Sequence, residues 1–160
     1  MTRTPNFPQK TKVLSTKTGN NFTVAHVGPL SDLTRYAITH PVLNRETPGK
    51  VFLQEVLGTT GLEMSLGVLP PGRGIPFLHK HKQNEEVYFI VSGQGQIQVD
   101  GDVTDVSEGS AIRIAPDGAR SLRNTGSAPL VYAVMQATQG SLSQWTATDG
   151  IPMPDPVQWP

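Results

Sequence analysis

At 160 residues the chain suits one domain, able to bury a core without disulfides or a structural metal. Its 13 basic and 13 acidic residues balance, with no polybasic run, which argues against nucleic acid and anionic membrane as main partners. Cysteine is absent, so thiolate metal ligands and a cysteine nucleophile are excluded.

The N-terminus lacks the apolar stretch of a signal peptide and no later run could span a bilayer, so a cytoplasmic protein is expected. Residues 1–20, polar and rich in Lys and Thr, read as a flexible or extended arm. Phe22–Val27 reads as a short strand. A turn at Gly28-Pro29 then leads into one or two helical turns, with Ser31 or Asp32 as N-cap. Val42–Gly49 reads as a loop, and Lys50–Leu57 and Leu62–Leu69 as strands. After the turn at Pro70–Gly74, a strand is expected over Pro76–His81, followed by a polar loop at Lys82–Asn84. Further strands are expected at Glu86–Val91, Gln96–Val99, Val103–Val106, Ala111–Ala115, Ser121–Asn124 and Leu130–Ala137. Asp100-Gly101 has the chemistry of a hairpin turn. Short strands at this regular spacing predict an all-β sandwich or barrel over residues 21–140. Residues 141–160, rich in proline, are expected to lie extended across the surface.

His79 and His81 carry the clearest chemical signal. In an extended backbone residues i and i+2 point the same way, so both imidazoles share a face. Glu86, from the next strand, would complete three convergent ligands for a divalent metal. Glu85 and Glu86 are adjacent, so only one can face the interior of a regular strand. Two imidazoles and a carboxylate suit Fe, Mn, Ni or Zn, and the sequence does not choose among them.

These residues resemble the cupin superfamily of small double-stranded β-helix, or jelly-roll, barrels. That family's first motif runs Gly, His-x-His, Glu, Gly. Here the Gly72/Gly74 turn precedes His79-Lys80-His81, four residues separate His81 from Glu86, and six separate Glu86 from Gly93. Its second motif runs Gly, Pro-x-Gly, His, Asn. Here Gly109 is followed after five residues by Ala115-Pro116-Asp117, so that the Pro-x-Gly turn is shifted by one, and Arg120 and Asn124 follow at the offsets of the histidine and asparagine. The resemblance spans roughly residues 60–137. Arg120 occupies the place of the last metal histidine, and a guanidinium, which cannot be deprotonated, is no metal ligand. The resemblance therefore implies a metal cupin with three protein ligands, His79, His81 and Glu86, and a homodimer. The N-terminal part also resembles single-domain bacterial cupins labelled as sugar-phosphate isomerases.

Arg120 has two readings: a fork gripping a carboxylate or phosphate of the substrate, or a structural partner of Glu86 or Glu63. Tyr88, on the same strand face as Glu86, is a candidate proton donor or a packing aromatic. Glu85 is a candidate base near the cavity mouth or a solvated outer residue. A small, anionic molecule is the expected ligand. Three functions fit: a metal-dependent sugar or sugar-phosphate isomerase, a non-haem dioxygenase, and a binding or sensing barrel without turnover.

Overall fold

The computed structural model describes residues 15–40 and 44–160. The first 14 residues of the expected arm and residues 41–43 of the expected loop lie outside the described residues. Polar residues on both sides of a Gly19-Asn20-Asn21-Phe22 turn form the first hairpin, β1 (Ser15–Thr18) with β2 (Thr23–His26). The end of the expected arm is thus a paired strand. A 3-10 segment follows over Leu30–Arg35. Pro29 stands at its N-cap and no side chain caps it, so neither Ser31 nor Asp32 has the expected role.

β3 (Ala37–His40) pairs antiparallel with β4 (Arg45–Pro48), where a loop was expected. Polar residues and Pro48 hide this strand from pattern reading; it is an edge strand, exposed along its length, where proline is tolerated. β5 (Lys50–Phe52) is much shorter than the expected Lys50–Leu57 strand. The chain leaves the sheet at Leu53 and coils into α1 (Gln54–Leu57), stopped by Gly58 at φ 74°.

The remaining elements are β6 (Glu63–Leu69), β7 (Asn84–Ser92), β8 (Gln94–Val99), β9 (Asp102–Ser107), β10 (Ala111–Ile114), β11 (Arg120–Asn124) and β12 (Leu130–Thr138). They build a five-stranded sheet in the order β10-β7-β12-β6-β5 and a three-stranded sheet in the order β11-β8-β9, with antiparallel pairing throughout. The β8–β9 hairpin turns at Asp100-Gly101, both at positive φ, as that dipeptide predicts. Gly93 turns β7 into β8 at φ 86°, with the Pro129 carbonyl so close that a Cβ would not fit.

The core has two halves. Between the sheets, Tyr88, Ile90, Ile97, Ile114, Leu122, Tyr132 and Val134 pack together. On the other face of the large sheet, Leu33 of the 3-10 segment and Tyr36 just after it cover Val51, Leu66, Val68, Val131 and Ala133. Burial on both faces explains why β6 and β12 are apolar runs rather than alternating ones. The tail, residues 141–160, carries neither helix nor strand. Contrary to expectation its apolar residues are not packed down: Trp145 and Trp159 are 85% and 86% exposed. Among the described residues no helix is long and apolar enough to cross a membrane.

Candidate metal centre

The two histidines stand on a segment that is extended but is not a strand. Pro76 has no N–H to donate, and the expected Pro76–His81 strand is replaced by isolated links to the small sheet. The Ile75 N–H donates to Leu122 O at 2.9 Å, the Arg120 N–H to His79 O at 3.0 Å, and the His81 N–H to Pro116 O at 2.9 Å. These bonds hold the backbone extended, so His79 and His81 still face the same way, their rings 5.6 Å apart.

Glu86 comes from the large sheet. Alternation along β7 sends Glu86, Tyr88 and Ile90 inward and Glu85, Val87 and Phe89 outward. One ligand atom from each of His79, His81 and Glu86 lies within 4.8 Å of the others. His79 Nδ1 and His81 Nε2 are buried without a hydrogen-bond partner. His81 Nε2 lies 3.1 Å from Glu86 Oε1, close enough for an ion pair but not aligned for a hydrogen bond. Two imidazoles with orphaned nitrogens grouped with one carboxylate are the donor set a divalent transition metal needs.

Arg120, wholly buried, has its Nε 3.0 Å and its Nη2 2.6 Å from the same oxygen of Glu86, Oε2. Its Nη1 donates to Gly118 O at 3.0 Å. Of the two sequence readings, the structure therefore displays the pairing with Glu86. This leaves Oε1 as the carboxylate oxygen that faces the histidines.

The charges follow from these contacts. Burial would raise the Glu86 pKa, but the nearby His81 and the Arg120 hydrogen bonds outweigh it and hold the carboxyl at about 2. Burial, then the Arg120 charge, lowers His79 to about 4, so its imidazole is neutral and able to bind a cation. Tyr88, buried and directed inward, has its phenol pushed well above its ordinary range by burial and by Glu86. Glu85 does not join the cluster. It points out of the barrel, where Arg113 Nη2 lies 2.6 Å from its carboxylate.

One inward polar residue carried no functional signal in the sequence. Lys50 on β5 places its ammonium 5.0 Å from the centre of the Tyr132 ring and 5.4 Å from that of Phe52. Burial lowers its pKa to about 8 against the opposing pull of Glu86 and Glu63. Only its position two residues before Phe52, on one face of a short strand, could have hinted at this.

Residues 65–135 match the family model described as Cupin domain. The chain is 43% identical to a cupin protein from Bacteroides fragilis of known structure. That likeness covers 65% of this chain and 88% of the other, with a TM-score of 0.63. The chain is a cupin. Its fold is also shared with a predicted oxalate decarboxylase from Thermotoga maritima (24% identity, 59% of this cupin and 83% of that chain, TM-score 0.51). A candidate sugar phosphate isomerase from Acidithiobacillus ferrooxidans is similar to the same degree (24% identity, 55% and 57%, TM-score 0.51). An uncharacterized protein of Methanocaldococcus jannaschii is 35% identical over 72 residues, 44% of this cupin. The matched segment spans 57% of that relative's length. The cupin barrel thus carries a His-His-Glu group that could hold a metal ion.

Proposed function

We propose that this cupin holds one divalent transition metal through His79, His81 and Glu86 and acts on a small anionic molecule, with sugar or sugar-phosphate isomerisation as the assigned chemistry. The observation that carries the reading is the presence of two buried, unpartnered imidazole nitrogens in His79 and His81, residues whose ligand atoms lie within 4.8 Å of one another and of one from Glu86. A bound metal would supply a Lewis acid for a carbonyl or hydroxyl of the substrate. Arg120 fixes the rotamer of Glu86 and keeps Oε2 occupied, so the carboxylate has one oxygen to offer an ion. The guanidinium also cancels the carboxylate charge. A dication held by two neutral imidazoles and this neutralised carboxylate keeps its full charge, which favours an anion as the group completing the site.

The three protein ligands also support a second reading, a dioxygenase, because a two-histidine, one-carboxylate set leaves several positions for a chelating substrate and O₂. The deciding experiment measures metal content of freshly purified protein, then turnover with and without oxygen. We expect close to one transition metal per chain, its loss in His79→Ala and His81→Ala, and aldose–ketose interconversion that persists under nitrogen. Oxygen uptake that stops under nitrogen would transfer the assignment to the dioxygenase. A metal-free protein whose two histidine variants bind added Mn²⁺ as wild type does would end the metal reading and leave a binding barrel. The homodimer is likewise a proposal; light scattering of the full chain tests it.

A further inference from the structure

Close enough to the His-His-Glu group for its charge to act on His79 and Glu86 stands a cation, Lys50, that none of these roles uses. Lys50 pairs with Gly67 across β5 and β6, and Gly67 pairs with Tyr132 across β6 and β12. Gly67 has no side chain, and a Cβ there would overlap the Tyr132 ring. The ring therefore lies across Gly67 and reaches Lys50. Tyr132 in turn stacks on Tyr88, with ring centres 6.1 Å apart and planes 16° apart, and Tyr88 stands two residues from Glu86 on the same face of β7. Lys50 thus belongs to the inner wall that leads to the metal ligands.

Its ammonium has no protein counter-ion within ion-pair distance among the described residues. Its contacts among the described residues are the faces of Phe52 and Tyr132, and it makes neither an ion pair nor a hydrogen bond there. Glu63, the other carboxylate acting on it, accepts the Leu53 N–H at 3.2 Å. Arg120 is fully enclosed and committed to Glu86 and Gly118, so it has no fork to turn toward a ligand. A half-buried lysine held between two aromatic faces, with no protein anion paired to it, is placed to receive an anion from outside the chain.

We propose that Lys50 is the anion-binding group of this site, receiving a carboxylate or phosphate of the substrate while the remainder of that molecule faces His79, His81 and Glu86. The orientation rests on the metal-cupin reading above; the anion contact itself does not. Phe52 and Tyr132 flank the ammonium and limit its swing, so it meets the anion as a fixed point charge.

The test is calorimetric titration of Mn²⁺-loaded wild type, Lys50→Gln and Lys50→Met with inorganic phosphate and with malonate, with metal content measured on the same samples. We expect both variants to keep their metal and to bind at least one of the anions at least about 10-fold more weakly than wild type. Dependence on Lys50 for phosphate alone assigns a phosphate ester, and for malonate alone a carboxylate. Unchanged anion affinity in metal-loaded variants overturns the inference, as does a wild type that binds neither anion. Lys50-dependent anion binding in a protein that takes up no metal would sink the metal reading and leave this one standing. A measurement on wild type alone guards against variants that fail to fold. The bound anion should slow acetylation of Lys50 by at least about 5-fold, read by mass spectrometry, while exposed Lys80 reacts as before. Equal reaction of Lys50 with and without either anion overturns the inference.

Discussion

Arg120 and Glu86 form a buried charge pair whose members cannot be separated without cost. Replacing the guanidinium leaves a desolvated carboxylate with no compensating cation. We therefore predict that Arg120→Leu destabilises the metal-free protein by about 3–5 kcal/mol, measured by urea unfolding. A loss under about 1 kcal/mol would mean that water replaces the guanidinium and that the pair is not sealed. Acid should act through the same residues. His79 has its pKa lowered from 6.5 to about 4 in the folded state, so the unfolded chain takes up its proton first as pH falls. Glu86 is held at about 2 against an ordinary value of 4.5, which gives the same sign in a lower window. Both contributions are fully present above pH 6.5. In chelator, stability should decline as pH falls from 6.5 to 4 through His79, and further from 4.5 to 2 through Glu86. His79→Asn should flatten the upper stage and spare the lower. A melting temperature level from pH 7 to pH 4 would contradict this account.

Elements differ in how plainly the sequence announces them. The β8–β9 hairpin was readable because Asp100-Gly101 fits one turn geometry and the flanking residues alternate. β6 and β12 were readable as apolar runs, but that they are covered on both faces was not, since the cover comes from Leu33 and Tyr36, far away in sequence. That His79 and His81 share a face was legible because i, i+2 spacing survives in any extended backbone, even though residues 76–81 make single bridges rather than a strand. The partner of Arg120 was not, because a guanidinium that grips a substrate and one that grips Glu86 look alike in one dimension. Lys50 was invisible for a related reason: a lysine at a strand start reads as solvated until Gly67 lets Tyr132 lie beside it. That contact yields a prediction at this scale. Gly67→Ala puts a methyl group where the Tyr132 ring lies, and should cost about 1–3 kcal/mol in urea unfolding. It should also weaken any anion binding that depends on Lys50, because the displaced ring no longer confines the ammonium. A neutral substitution would show that the ring moves aside freely.

Across the whole molecule, the three residues of the His-His-Glu group come from different layers. His79 and His81 hang on a segment whose hydrogen bonds go to β11 and to Pro116, on the side of the small sheet, while Glu86 stands in β7 of the large one. In the metal-free protein the sheets meet through apolar packing, through the Arg120–Glu86 pair and through the Asn124 amide, which donates to Leu69 O. A shared ion would add a further link, which has to break when the sheets part. Because unfolding scatters the three ligands, the unfolded chain offers no comparable site, and binding should raise stability by mass action. At a free metal concentration 100-fold above the dissociation constant the gain is about 2.7 kcal/mol. For a chain of this size that corresponds to a rise of roughly 5–10 °C in melting temperature. The rise should grow with the logarithm of Mn²⁺ or Zn²⁺ concentration and disappear in His81→Ala. Lys50→Gln should melt higher with metal just as wild type does, since it leaves all three ligands in place. A melting temperature indifferent to metal in wild type would show that the three side chains, though adjacent, do not share an ion in solution.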